Sequence, residues 1–162
     1  MNTILMKKSC VVASAVLLVA LAWSVAAVAA DQHSGSWKMN PAKSKYSPGP
    51  AAKSVNLKVE ADENGVKIDA QGTDGDGNPT HVAYDAKFDG KDYPVTGLPY
   101  ADTVSVKRVG ADTIQGTMKK GDKVVMTVTS KVSKDGKTRT STFIGKDAQG
   151  HDVRNVVVYD KQ

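Results

Sequence analysis

From Val55 onward the chain settles into one rhythm. Val55, Leu57 and Val59 alternate with polar neighbours, and the chain turns at Asp62–Gly65. Val66, Ile68 and Ala70 alternate again, and a loop follows over Gly72–Pro79. Val82, Tyr84, Ala86 and Phe88 form the next apolar face, closed by the turn Asp89-Gly90-Lys91. Tyr93–Gly97 is short. Val104 and Val106, then Ile114 and Met118, then Val124, Met126, Val128 and Val132 repeat the pattern, and two further runs cover Thr138–Gly145 and Val153–Asp160. A period of two places one side of each strand in a core and the other in water. Asp-Gly dipeptides punctuate hairpins, because glycine reaches the positive φ that tight turns require. No helical period is visible beyond the first thirty residues. Pro41, Pro48 and Pro50 keep 41–53 from being a long helix or a central strand, so that stretch is expected to be an irregular cover.

About nine or ten short strands with short connections predict an all-β protein. An up-and-down antiparallel β-barrel of about 8–10 strands is the leading architecture, since closure removes exposed edges; a β-sandwich is the alternative. The alternation assigns Val55, Leu57, Val59, Val82, Tyr84, Phe88, Val104, Val106, Met118, Met126 and Val128 to the interior. It puts Lys58, Lys67, Lys87, Lys107, Lys123 and Lys131 outside. The last two strands offer apolar residues on both faces, so their orientation stays open.

The first thirty residues change the accounting. Lys7 and Lys8 precede an apolar run from Cys10 to Leu21, and Ala27-Val28-Ala29-Ala30 ends it. A basic head, a short apolar middle and a small-residue exit describe a cleaved signal peptide over 1–30, with a single domain over 31–162. Cleavage removes the only cysteine and lowers the basic count from 22 to 20 against 17 acids, a net charge of +3. The expectation is an exported, periplasmic or extracellular monomer without disulfides and without stable membrane insertion after cleavage. Charges of both signs are interspersed, which argues against nucleic acid as a partner.

Gly35-Ser36-Trp37 opens the first strand, and this Gly-x-Trp resembles the opening motif of lipocalins and related calycin barrels. The stretches WKMNPAKSKYSPGP, KFDGKDYPVTG, VSKDGKT and VVVYDKQ are also similar to those of small secreted bacterial proteins without a known activity. The lipocalin resemblance implies a lipocalin-like cup for a small apolar molecule. It also implies an arginine near the last strand packed across Trp37, a structural role for which Arg154 is suitably placed. Arg154 and Tyr159 are five apart, so the arginine–tyrosine clamp of the fatty-acid-binding relatives does not carry over.

The candidate ligand-binding residues are Arg108, Arg139, Arg154, Tyr84, Phe88, Met118 and Met126. Arg108 shares parity with Val104 and Val106, Arg139 with Phe143, and Arg154 with Val156 and Val158. Arginines inside a barrel are costly unless paired, and an anionic head would satisfy them bidentately. The blander alternatives are a strand end reaching solvent for Arg108, simple exposure for Arg139 and the Trp37 clasp for Arg154. His33, His81 and His151 lack partners at metal-ligand spacing and are expected on the surface. Asp74, Asp76 and Asn78 start like a calcium loop, but Pro79 and Asp85 stand where glycine and glutamate belong. No nucleophile motif is present, and Glu60 and Glu63 flank a hairpin. The resulting expectation is a non-enzymatic protein without metal or cofactor that binds a small apolar or amphipathic molecule, including one with an anionic head. The alternative is a solid-cored envelope or matrix protein acting through its surface.

Overall fold

The computed structural model describes residues 30–147 and 149–162. The leader, Cys10 included, therefore lies outside the described residues except for Ala30. Ten strands follow in order: β1 (Gly35–Met39), β2 (Ser54–Ala61), β3 (Gly65–Thr73), β4 (Pro79–Lys87), β5 (Tyr93–Thr96), β6 (Thr103–Gly110), β7 (Thr113–Lys120), β8 (Lys123–Val132), β9 (Thr138–Lys146) and β10 (Asp152–Lys161). A single 3₁₀ turn, Pro41–Lys43, interrupts the β1–β2 connection. Each strand pairs antiparallel with its sequence neighbours, and β10 returns to β1, giving a closed up-and-down barrel. Trp37 marks the seam, opposite Leu57 on β2 and Lys161 on β10.

The period-two pattern explains the interior. All eleven side chains assigned inward from sequence belong to the core or pack against it, and the six outward lysines are exposed. Turn chemistry fixes the register at the hairpins. Gly136 adopts φ 69° between β8 and β9, and Asp135 accepts from Lys137 N at 3.0 Å to close that turn. Gly97 adopts φ 80°, and a Cβ there would stand 1.7 Å from the carbonyl oxygen of His81, so only glycine allows β5 to leave the sheet beside β4.

The orientation that the pattern left open is settled in β9 and β10. Arg139, Ser141 and Phe143 face inward, and Ile144 is exposed. On β10 the inward set is Val153, Asn155, Val157 and Tyr159. Arg154 is therefore on the outer face and exposed, which corrects the expectation that it enters the barrel. The strand carries valines on both faces, so alternation alone is silent. Burying the large Tyr159 ring in preference to Val158 removes more apolar area from water.

The two ends of the barrel are built differently. At one end lie the β2–β3, β4–β5, β6–β7 and β8–β9 turns together with residues 31–34. At the other lie the long β1–β2 connection and the β3–β4, β5–β6, β7–β8 and β9–β10 connections.

Candidate functional site

The first end is sealed. Residues 31–34 fold back as a plug. Ser34 Oγ donates to the carbonyl of Ala61 at 2.9 Å and accepts from Ala61 N at 2.8 Å. Gln32 Nε2 donates to the carbonyl of Ala111 at 2.6 Å. Asp31 forms an ion pair with Arg108, which also donates to the carbonyl of Asp62 at 3.0 Å and lies 4.6 Å above the Phe88 ring. Arg108 and Phe88 are thus occupied with each other and with the plug; neither lines the cavity described below.

His33 is the centre of this seal. It is fully buried, which corrects the expectation of a surface histidine. Its carbonyl accepts from the Trp37 indole Nε1 at 3.0 Å. Its Nδ1 lies 3.0 Å from Arg139 Nη1. A guanidinium has no acceptor, so Nδ1 must accept and the imidazole proton sits on Nε2. Burial, reinforced by the charge of Arg139, lowers the His33 pKa from 6.5 to about 4, so the ring is neutral at ordinary pH. Neither His33 Nε2 nor Arg139 Nε has a hydrogen-bond partner among the described residues. The cation over Trp37 is Lys161, its register partner, with Nζ 5.0 Å from the ring centre. The clasp expected of Arg154 is absent because Arg154 faces outward and lies seven positions back along β10 from Lys161, roughly 23 Å at the rise of an extended strand.

The second end holds a cavity of about 260 Å³. Eight strands leave just enough width for side chains or one small ligand, and ten leave more. Leu57, Ile68, Met118, Met126, Val128 and Val157 are among its walls. Tyr46, Leu98 and Tyr100 come from the long loops at the mouth. Tyr46 is held there by donating to Met39 Sδ at 3.2 Å, and the backbone of Lys45 pairs with Val156. The innermost part is polar. Arg139 reaches it from β9, facing Tyr159 across the ladder. Ser130 and Ser141, also register partners, share a hydrogen bond at 2.8 Å. Tyr84 joins them from β4. Burial raises the pKa of Tyr84 and of Tyr159, so both phenols stay protonated and available as donors.

Of the seven residues singled out from sequence, Tyr84, Met118, Met126 and Arg139 line this cavity. Arg108 and Phe88 belong to the plug, and Arg154 to the exterior. Sequence reasoning missed Tyr159, whose strand parity was ambiguous, and the loop tyrosines Tyr46 and Tyr100, which have no periodic signal. Ser130 did leave one, as a hydroxyl between Val128 and Val132 on an apolar face, whereas Ser141 stands between Arg139 and Phe143 and left none. The loop around Asp74 closes on itself, with Asp74 Oδ1 accepting from Gly77 N and Asn78 N at 2.8 Å each.

No protein-family model matches the chain, and no curated protein matches it.

Proposed function

We propose that the chain is an exported, monomeric, lipocalin-like binding protein that holds a small amphipathic molecule inside the barrel. The observation that carries this reading is the cavity itself: apolar walls, a polar innermost surface, one sealed end and one end ringed by loop side chains. Ligand sites are typically concave and mostly apolar, with a few convergent polar groups that fix orientation. The cavity favours this reading over a solid-cored barrel acting through its surface. Export rests on the leader pattern of residues 1–30, and the Gly-x-Trp opening supports the lipocalin likeness.

Native mass spectrometry of the protein purified from its source, followed by solvent extraction, tests the reading. The expected result is a co-purifying small molecule near one per chain. A bare protein that also fails to bind amphipathic fluorescent probes would overturn it.

A further inference from the structure

We propose that the inner end of the cavity is a carboxylate site, and that its ligand is a compact monocarboxylic acid seated head-down on Arg139. This rests on the carrier reading above and adds the head group, the orientation and the size.

The head follows from an uncompensated charge. Arg139 is 4% exposed. It has five N–H donors, yet its one hydrogen bond among the described residues is to neutral His33, and its Nε is buried without a partner. It forms no ion pair among the described residues. Asp31, an acid whose charge acts on Arg139, is engaged by Arg108. A buried cation left in this state is strongly unfavourable, and a carboxylate can grip a guanidinium with two parallel bonds. The rest of the inner surface suits an anion. Tyr84 and Tyr159 carry protonated phenols close enough to feel the Arg139 charge. The Ser130–Ser141 bond uses one hydroxyl proton and leaves the other free to donate. Among the described residues, no Asp or Glu lines the cavity. One guanidinium balances one negative charge, which favours a carboxylate over a phosphate monoester carrying nearly two.

The size follows from the volume. An apolar cavity of about 150 Å³ accommodates benzene with its six carbons, so by the same proportion 260 Å³ holds roughly ten non-hydrogen atoms. A carboxylate with a tail of about six or seven carbons, or with one ring, fills it. A longer chain must run out past Tyr46, Leu98 and Tyr100 at the mouth, where its further carbons bury less surface than those seated inside.

Isothermal titration of the purified protein with octanoate, octan-1-ol and hexadecanoate tests the three parts together. Octanoate is expected to bind at least tenfold tighter than octan-1-ol, and hexadecanoate no tighter than octanoate. Arg139→Met should lose octanoate at least tenfold and keep octan-1-ol within about twofold, while Arg139→Lys recovers part of the octanoate affinity. Equal affinity for acid and alcohol in the unaltered protein overturns the head site but leaves the carrier reading standing. That comparison decides the matter even if Arg139→Met does not fold. A clear preference for hexadecanoate overturns the size limit. Failure of all three to bind overturns both readings.

Discussion

The two ends of this barrel share the same ten strands and the same inward parity, yet one is sealed and the other holds a cavity. At the sealed end Trp37, Val59, Val106 and Val132 are almost completely buried. Four residues, Asp31–Ser34, complete the closure with hydrogen bonds and one ion pair. At the other end the lining side chains Val55, Val82, Leu98 and Tyr100 are only half-buried, and a connection of more than ten residues lies beside the mouth. Strand alternation decides which side chains point inward at both ends. What fills the space between them is decided by the segments that leave the strands. A short segment carrying a histidine and followed by a tryptophan fills one end; long loops bearing tyrosines frame the other. Arg139 stands at the boundary, touching His33 on one side and the cavity on the other.

The largest expected effect lies in the seal. Trp37→Ala removes a ring that is 1% exposed together with its bond to the His33 carbonyl. Truncating a buried large aromatic costs on the order of 3–5 kcal/mol. The same truncation at the mouth, Tyr100→Ala, is expected to cost less than half as much, because that ring already borders open space. Urea unfolding of the two variants measures the contrast. Equal losses would mean that the mouth is packed as tightly as the seal and that the division drawn between them is wrong.

The next effect is a pH dependence confined to the sealed end. His33 has a folded pKa of about 4 against 6.5 for the free side chain. On acidification the unfolded chain takes up this proton first. The stability contributed by neutral, buried His33 is therefore complete above about pH 6.5 and is lost as pH falls toward 4. One pKa unit corresponds to about 1.4 kcal/mol, so the loss amounts to about 3 kcal/mol across that window. The carboxylates whose pKa values are held down, such as Asp62 and Asp74, titrate at lower pH and act below it. His33→Gln can still accept from Arg139 but does not titrate, so it should flatten the stability profile between pH 6.5 and 4. Denaturant midpoints at half-unit pH steps give the answer; an unchanged slope in the variant removes His33 as the cause.

These two expectations also mark how far the sequence alone reaches. The barrel, its strand count and the inward faces of β2, β4, β6, β7 and β8 were legible, because one face of each strand is largely apolar and the other mostly polar. Asp-Gly turns reinforced the reading at Gly90 and Gly136 by supplying the positive φ. The plug was not legible. Asp31, Gln32 and His33 look like any solvated leader junction. Their burial depends on Ala61, Ala111 and Arg108, which lie far along the chain and come close only once the barrel closes. The site was half legible. Arg139 could be named, but its partner Tyr159 lies on β10, where Val153, Val156, Val157 and Val158 give no clean alternation. A motif-based expectation for Arg154 filled that gap and was overturned by the register Tyr159↔Arg139.

That register yields the smallest predicted effect and the sharpest check on the boundary between the two ends. Arg154 is exposed on the outer face of β10, and its backbone N–H donates to the carbonyl of Ser47 at 2.7 Å, a bond that does not involve its side chain. Arg154→Ala should therefore change stability by no more than about 0.5 kcal/mol, as surface substitutions away from special features do. It should leave octanoate affinity within about twofold of the unaltered protein, whereas Arg139→Met loses it. The pair of arginines thus separates the two possible faces of the last strands. Because strand side chains alternate, a one-residue slip of β10 would exchange the inward and outward sets at once. If Arg154→Ala destabilises by more than about 1 kcal/mol, or weakens octanoate as strongly as Arg139→Met, then Val157 and Tyr159 do not line the cavity, and the polar inner surface must be rebuilt from the other face.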